Sequence, residues 1–388
     1  MPKGRGIPRR FDERRVMIAQ RIVIKLGTST LTAGTKHLNR QRMLEIVQQV
    51  ARLHQAGHEV IVVSSGAQAA GRERVNFPNL LRSVPAKQML SAIGQSHLMR
   101  IYSDLFDIFE IIVAQVLLTR DDLSHRARYL NARDTLQTLL EQRVIAIINE
   151  NDTVATEEIR VGDNDNLSAL VASAMEADLL IILTDQHGLY TADPRTNPDA
   201  QLIENVTQID ESLFLLAGGA GSAVGTGGMI TKLQAAQIAT RSGVITVIAA
   251  GREPDVLTRL AAGESIGTRF IPTGTHLESR KRWLLTDRPR GTLHIDAGAA
   301  RALHARDGAS LLPVGIHQVI GTFERGATVS VVDPQGQVIA HGVTSYDSDH
   351  LRRIAGQKST QISELLGYSV GDEAIHRNNL VLWGQGAL

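Results

Sequence analysis

The stretch RIVIKLGTST, Arg21–Thr30, sets the pattern that the rest of the chain repeats. Arg21–Leu26 is short, apolar and largely β-branched, and Gly27 ends it. It predicts a buried strand running into a tight loop. Five further runs carry the same signature. Val60–Val63 is followed by Ser64-Ser65-Gly66-Ala67, Val144–Ile148 by Asn149-Glu150-Asn151-Asp152, and Leu179–Leu183 by Thr184-Asp185; Ile111–Leu117 and Ile245–Ile248 complete the set. Helical spacing appears between them at Gln41–Gln55, with Met43, Ile46, Val47, Val50 and Leu53 on one face and Gly57 as a stop. Further helical patterns lie at Arg133–Glu141, Leu167–Glu176 and Met229–Thr240. Continuous apolar strands alternating with amphipathic helices predict an α/β fold, a mostly parallel sheet sandwiched by helices. Ligands of such sheets bind beyond the carboxyl ends of the strands. The polar clusters sit at those ends, so they are read as one site.

Composition sets outer limits. The 388 residues suffice for two domains with separate cores. A formal net charge of +1 gives no global steering toward nucleic acid or a membrane. The absence of cysteine excludes disulfides and thiolate metal sites, and no apolar run approaches the length of a membrane span. Residues 1–20 form a basic extension carrying Lys3, Arg5, Arg9, Arg10, Arg14 and Arg15, with no apolar stretch of the kind a secretory signal has. It reads as an unstructured start, with a nucleic-acid arm as the alternative.

The texture changes near Ile271. Pro272, Gly274, Pro289 and the basic knot Arg280-Lys281-Arg282 mark residues 272–290 as a linker between a first domain at 21–271 and a second at 291–371. The second is β-rich, with strand-like runs at Gly291–Ile295, Leu311–Val314, Ala327–Val332 and Val338–Val343. A C-terminal segment, 372–388, contains one more such run at Leu380–Trp383.

Three features of the first domain suit phosphoryl transfer, which needs positioning, cations and amide donors rather than covalent help from the protein. Lys25 stands at a strand end beside Gly27-Thr28-Ser29. In Gly225-Thr226-Gly227-Gly228-Met229-Ile230-Thr231-Lys232, the glycines let backbone amides wrap an anion, a helix starts behind them, and Lys232 lies one turn in. This is not a Walker A loop, because no G-x-x-x-x-G-K-[ST] occurs. The third feature is the pair of clusters Asn149–Asp152 and Gly162–Asn166. Their carboxylates can hold an ammonium group, coordinate Mg²⁺ on a nucleotide, or orient Lys25 and Lys232; as ordinary structure, Asp165 or Asn166 would cap the helix that follows. His54 and His58 are four apart but lack a nearby third ligand, and His187 falls in a turn.

Taken together, IKLGTST at 24–30, VSSGA at 63–67, INENDTV at 148–154, EIRVGDNDNLSALVA at 158–172, LTDQHGLYTADPR at 183–195 and GTGGMITK at 225–232 resemble the amino acid kinase family, and within it the branch that phosphorylates L-glutamate. The resemblance runs from about Arg21 to Arg269, and residues 291–371 look like a PUA domain. It implies transfer from ATP to the γ-carboxylate of L-glutamate, the first step of proline synthesis, in the cytoplasm. Carried over residue by residue, Lys25 and Lys232 would act on the phosphoryl group and Asp165 would orient them. Ser65, Gly66, Ala67, Asn149, Asp152, Asp163 and Asn164 would hold glutamate. Lys25, Thr184, Asp185, Thr226, Gly227, Gly228, Met229, Ile230, Thr231 and Lys232 would hold ATP. Mg²⁺ with the nucleotide, feedback inhibition by proline and a homo-oligomer are implied as well, without a dedicated protein metal site. Gln186-His187 departs from the family pattern, which has a small apolar residue and an aspartate there. The alternatives are a sister kinase acting on aspartate, acetylglutamate or a carbamate, and an RNA-binding role for the second domain. RNA is not favoured, since His276–Leu388 has 12 Lys and Arg against 11 Asp and Glu.

Overall fold

Six strands predicted from the sequence form the body of one sheet. The computed structural model describes residues 20–79, 83–155, 164–218, 228–275, 288–305 and 309–382. The strands are β1 (Arg21–Leu26), β2 (Glu59–Ser64), β3 (Val113–Leu118), β4 (Ile145–Glu150), β5 (Leu179–Thr184), β6 (Asn205–Val206), β7 (Ile245–Ala250) and β8 (Thr268–Phe270). Their order is β3-β4-β2-β1-β5-β7-β8-β6. The first six in that order are parallel, while β8 runs antiparallel to β7. Register aligns Lys25 with Val63 and Ile182, so the carboxyl ends of β1, β2 and β5 lie level.

Alternation along the strands splits the core in two. Ile22, Ile24, Val60, Val62, Ile147 and Ile181 pack on one face beneath the helices Arg40–Gln55 and Val84–Asp107. Val23, Ile61, Val63, Ile148 and Ile182 pack on the other beneath Arg126–Glu141, Asn164–Ala174 and Met229–Arg241. This parity assigns the residues at the strand ends. Lys25 shares the face of Val23, where the helices carrying Asp165 and Lys232 lie. Asn149 shares the face of Ile147, toward the helix Val84–Asp107.

That helix, of 24 residues, is absent from the sequence reading. It crosses the helix Ala67–Arg74 with almost no clearance. A Cβ at Gly94 would lie 1.8 Å from the Ala67 carbonyl oxygen, and one at Gly71 would lie 1.9 Å from that of Leu90. Only glycine permits backbones to meet so closely.

The second domain is a sheet of order β10-β9-β11-β12-β13, formed by β9 (Gly291–Ile295), β10 (Ile316–Ile320), β11 (Thr328–Val332), β12 (Val338–Val343) and β13 (Leu380–Leu382). The expected strand at Leu311–Val314 does not form. Leu311 makes an isolated bridge to Ile375, and Pro313 opens a 3-10 turn at Pro313–Gly315, where its missing N–H and fixed φ suit a turn better than a ladder. The strand that follows, β10, was not anticipated. The basic knot Arg280-Lys281-Arg282, residues 1–19 of the N-terminal extension and Trp383 lie outside the described residues. Leu130, Val343 and Val381 form a small apolar seam between the domains. Around it Arg126 donates to Thr328 Oγ1 at 2.8 Å, Arg133 donates to Asn379 Oδ1 at 3.0 Å, and Arg325 pairs with Asp134.

The glycine crossing is directly testable. Gly94→Ala forces the two helices apart and lowers unfolding free energy by about 2 kcal/mol, as overpacked sites do, despite alanine's better helix propensity. Chemical denaturation with an unchanged m-value measures the loss.

Candidate active site

The carboxyl ends of β1, β2, β4 and β5 surround a cavity of about 520 Å³. Lys25 and Gly27 reach it from β1 and its loop, and Ser65, Gly66 and Ala67 from the loop after β2. Asn149, Glu150 and Asp152 come from β4, and Thr184 and Asp185 from β5. Asn164 and Lys232 are brought in by two of the helices on the second face, Asn164–Ala174 and Met229–Arg241. Gly66, at φ 102°, must be glycine on conformational grounds, and it starts the helix Ala67–Arg74.

One carboxylate organises the cationic side of the cavity. Asp165 stands in the first turn of the helix Asn164–Ala174 and is 1% exposed, behind Lys25 and Lys232, which are each 6% exposed. Lys25 Nζ pairs with Asp165 Oδ1 at 2.6 Å, and Lys232 Nζ with Oδ2 at 3.1 Å. Thr231 Oγ1 also donates to Oδ2, at 2.7 Å. Burial alone would raise the Asp165 carboxyl, but Lys25 and Lys232 outweigh it and bring it down to about 2. Burial lowers the Lys232 ammonium from its ordinary value despite the pull of Asp165, and the charge of Lys25 lowers it further.

The opposite side is a polar net. Asn164 Nδ2 donates to the Ser64 carbonyl at 3.1 Å, to Ser65 Oγ at 3.1 Å and to Asn149 Oδ1 at 2.8 Å. Ser64 Oγ meets the hydroxyl of Tyr102, which burial raises above its usual range, at 2.7 Å. Burial also pushes the Asp152 carboxyl up, although the Ser91 hydroxyl and the Lys87 ammonium favour its charged form. A half-buried carboxylate pushed up in this way is short of positive charge and suits an ammonium ligand.

Ten of the residues singled out in the sequence therefore line one cavity: Lys25, Ser65, Gly66, Ala67, Asn149, Asp152, Asn164, Thr184, Asp185 and Lys232. Asp165 stands behind the lysines rather than in the wall. Gly228 caps the helix Met229–Arg241, Thr231 is turned to Asp165, Met229 is half-buried and Ile230 is exposed; none of the four lines the cavity. Asp163, Thr226 and Gly227 lie outside the described residues. Arg72, Lys87 and Glu150 line the cavity but were missed as site residues. Glu150 lies in a cluster already read from the sequence. Arg72 and Lys87 sit on helices away from any motif, where a cation gives no local signal. The departure at Gln186-His187 is absorbed outside the cavity, where His187 contacts Glu253 at 3.2 Å and Arg252 at 2.7 Å. His54 Nε2 meets the Arg143 carbonyl at 2.9 Å and His58 Nδ1 accepts from the Gln20 amide at 3.1 Å, both structural contacts.

Comparison with known proteins gives a consistent picture. The model of the amino acid kinase family matches residues 20–250, and that of the PUA domain matches residues 291–366. The chain is 56% identical over 362 residues to a protein of Herpetosiphon aurantiacus named glutamate 5-kinase, covering 93% of this chain and 98% of that one. It is 54% identical over 362 residues to a glutamate 5-kinase of Deinococcus radiodurans, covering 93% and 99%. Among solved structures, a carbamate kinase from Giardia lamblia bound to AMP-PNP aligns with a TM-score of 0.49 at 19% identity, over 66% of this chain and 99% of that one.

The Asp165 clamp sets a stability prediction. Asp165→Asn leaves two buried ammonium groups without their counter-charge and costs about 3 kcal/mol at neutral pH. Because the folded carboxyl is held below its unfolded value of 3.8, its contribution is full above that value and is lost as pH falls toward about 2. Denaturation curves of the wild type and the variant, far apart at pH 7, converge across that window.

Proposed function

The chain belongs to the amino acid kinase family, and from that premise we propose that it transfers the γ-phosphoryl group of ATP to the γ-carboxylate of L-glutamate, giving L-glutamyl 5-phosphate and ADP. The product is the starting point of proline synthesis. The observation that carries this reading is the convergence of Lys25 and Lys232, from a strand end and a helix start, on the single carboxylate of Asp165 at the wall of a cavity lined by amide and carboxylate groups.

The chemistry fits a carboxylate acceptor. A γ-carboxyl with a pKa of about 4.3 is ionised at neutral pH, so the nucleophile needs no general base. Lys25 and Lys232 neutralise charge on the phosphoryl group as it moves, and Asp165 holds both ammonium groups in place. Thr184 and Asp185 belong to the nucleotide side, with the segment Thr226–Lys232. Ser65, Asn149, Asp152 and Asn164 belong to the amino-acid side, with Gly66 and Ala67 offering backbone and Asp163 adjoining them in sequence. Asp152 suits the α-ammonium of glutamate. Arg72, with no hydrogen-bond or ion-pair partner for its guanidinium among the described residues, suits the α-carboxylate.

Mg²⁺ fits this donor set as an ion brought by the nucleotide. Among the described residues no three His, Asp or Glu side chains are grouped to cage a metal, while Glu150 and Asp185 offer single carboxylates, and Mg²⁺ commonly keeps its waters and takes only one or two such ligands. It would add positive charge at the phosphates. The same reading assigns residues 21–271 to catalysis, 272–290 to a linker and 291–371 to a PUA-like module followed by a C-terminal segment. It extends to a cytoplasmic homo-oligomer inhibited by proline, which shares the α-ammonium and α-carboxylate of glutamate. No helix among the described residues is long and apolar enough to cross a membrane.

ADP release tested with L-glutamate, L-aspartate, N-acetyl-L-glutamate and carbamate shows turnover with glutamate; turnover with aspartate alone overturns the assignment. Lys25→Ala and Lys232→Ala each lower kcat by roughly a hundredfold or more, the scale of losing one transition-state donor, with smaller changes in the glutamate KM. A normal kcat in either variant removes its role. Because Lys232 is lowered from the ordinary 10.5 by burial, the alkaline fall in kcat starts below that value. Lys232→Arg moves that limb upward.

A further inference from the structure

The helix Val84–Asp107 carries a stripe of residues that no sequence motif marks and that the reaction as described does not use. Lys87, Gln88, Ser91, Gly94 and Gln95 follow an i, i+1, i+4, i+7, i+8 spacing, which places them on one face. Each touches the cavity or an element that builds its amino-acid side. Lys87 lines it, and Ser91 lies beside Asp152. Gln88 Nε2 donates to the carbonyls of Thr153 at 3.3 Å and Ala155 at 3.2 Å, in the loop after β4. Gly94 lets the helix settle against the backbone of Ala67. Gln95 Oε1 accepts from Asn149 Nδ2 at 2.8 Å.

The last contact belongs to a chain of amides whose direction is fixed by backbone groups. Asn149 Oδ1 accepts from the Glu150 N–H at 2.9 Å, and a backbone N–H can only donate. Asn164 Nδ2 donates to the Ser64 carbonyl at 3.1 Å, and a carbonyl can only accept. Between these anchors Asn164 Nδ2 also donates to Asn149 Oδ1. Asn149 must therefore present its NH₂ toward residue 95, and only an acceptor can stand there. Gln95 in turn donates to Oε1 of the exposed Gln115, at 3.3 Å, on the edge strand β3. The anchors leave Asn164 Oδ1 as the acceptor that this chain does not use.

We infer that Gln95 is a positioning residue for the amino-acid substrate: its side-chain carbonyl fixes the orientation of Asn149, and through it the face that Asn164 offers to glutamate. The helix Val84–Asp107 thus aligns the substrate half of the cavity, while the lysine pair is aligned independently by Asp165. This inference rests on the reading of the cavity as a glutamate site.

Steady-state kinetics on three variants tests it. Gln95→Met keeps the volume and removes the acceptor. Gln95→Lys supplies a donor only and can reach solvent from this half-buried position. Gln95→Glu keeps the acceptor. The first two raise the glutamate KM roughly tenfold, since a buried donor loses its partner, with ATP KM and kcat within about twofold of the wild type. Gln95→Glu stays within about twofold of the wild type throughout. Titration with an ATP analogue on the same preparations reports that each variant is folded. An unchanged glutamate KM in the folded Met or Lys variant overturns the inference, as does a Glu variant as impaired as these two. A wild type without glutamate-dependent turnover overturns the functional reading itself, and this inference with it.

Discussion

Asp165 between Lys25 and Lys232 is the contact on which the geometry of the site depends. Two ammonium groups so close, each almost wholly withdrawn from water, would repel one another if left alone. One carboxylate bridging both offsets part of that cost and draws three chain segments together: the end of β1, the start of the helix Asn164–Ala174 and the first turn of the helix Met229–Arg241. The arrangement still leaves one net positive charge. It is anchored rather than carried on a flexible tether, so little reorganisation is needed when an anion arrives. The cost is a buried charged cluster that contributes less to stability than apolar packing of the same volume would. Such a cluster is retained where its charge has chemical work.

Strand parity explains why the cavity has two chemically different sides. Side chains leave a sheet alternately, so the residue that ends each strand is sent to one layer or the other. Lys25 falls in step with Val23, toward the layer of Asp165 and Lys232. Asn149 falls in step with Ile147 and Ser64 with Val62, toward the layer of Tyr102 and Gln95. A slip of one residue in β1 would send Lys25 to the wrong layer and leave its buried ammonium without Asp165, which makes such a slip costly.

The same alternation accounts for what the sequence discloses. Fully buried parallel strands write themselves as continuous apolar runs, and the loops that end them are conspicuous because polar clusters follow directly. β1, β2, β4, β5 and β7 were found on that basis, together with most of the cavity wall. The helix Val84–Asp107 escaped because its apolar face is interrupted: Leu90, Leu98, Ile101, Tyr102 and Phe106 are buried, but Ser91 and Gly94 stand among them. In its first half Gln88, Ser91, Gly94 and Gln95 flank that face, where the helix meets a polar net and a neighbouring backbone. β10 escaped for a related reason: most of it is exposed or half-buried, and its ladder is irregular between Ile316 and Gln318, so the alternation that marks a strand is broken. Leu311–Val314 misled in the opposite direction, because two leucines and a valine outweighed the proline among them.

Charge balance supplies the last step. The cavity wall holds four cations, Lys25, Arg72, Lys87 and Lys232, against three carboxylates, Glu150, Asp152 and Asp185. With Asp165 behind the lysines, the protein contribution is close to neutral. ATP brings about four negative charges and glutamate a net one more, so the filled cavity would be strongly anionic at short range. Cations accompanying the nucleotide remove part of that excess, and amides at the start of the helix Met229–Arg241 remove more. A site neutral by itself and anionic once filled gains most from positive charge delivered with the substrate. On the proposed reading carboxylates can line a phosphate-handling cavity: Asp152 would face an ammonium, Asp165 faces two lysines, and Glu150 and Asp185 would stand near an ion carried in by the nucleotide.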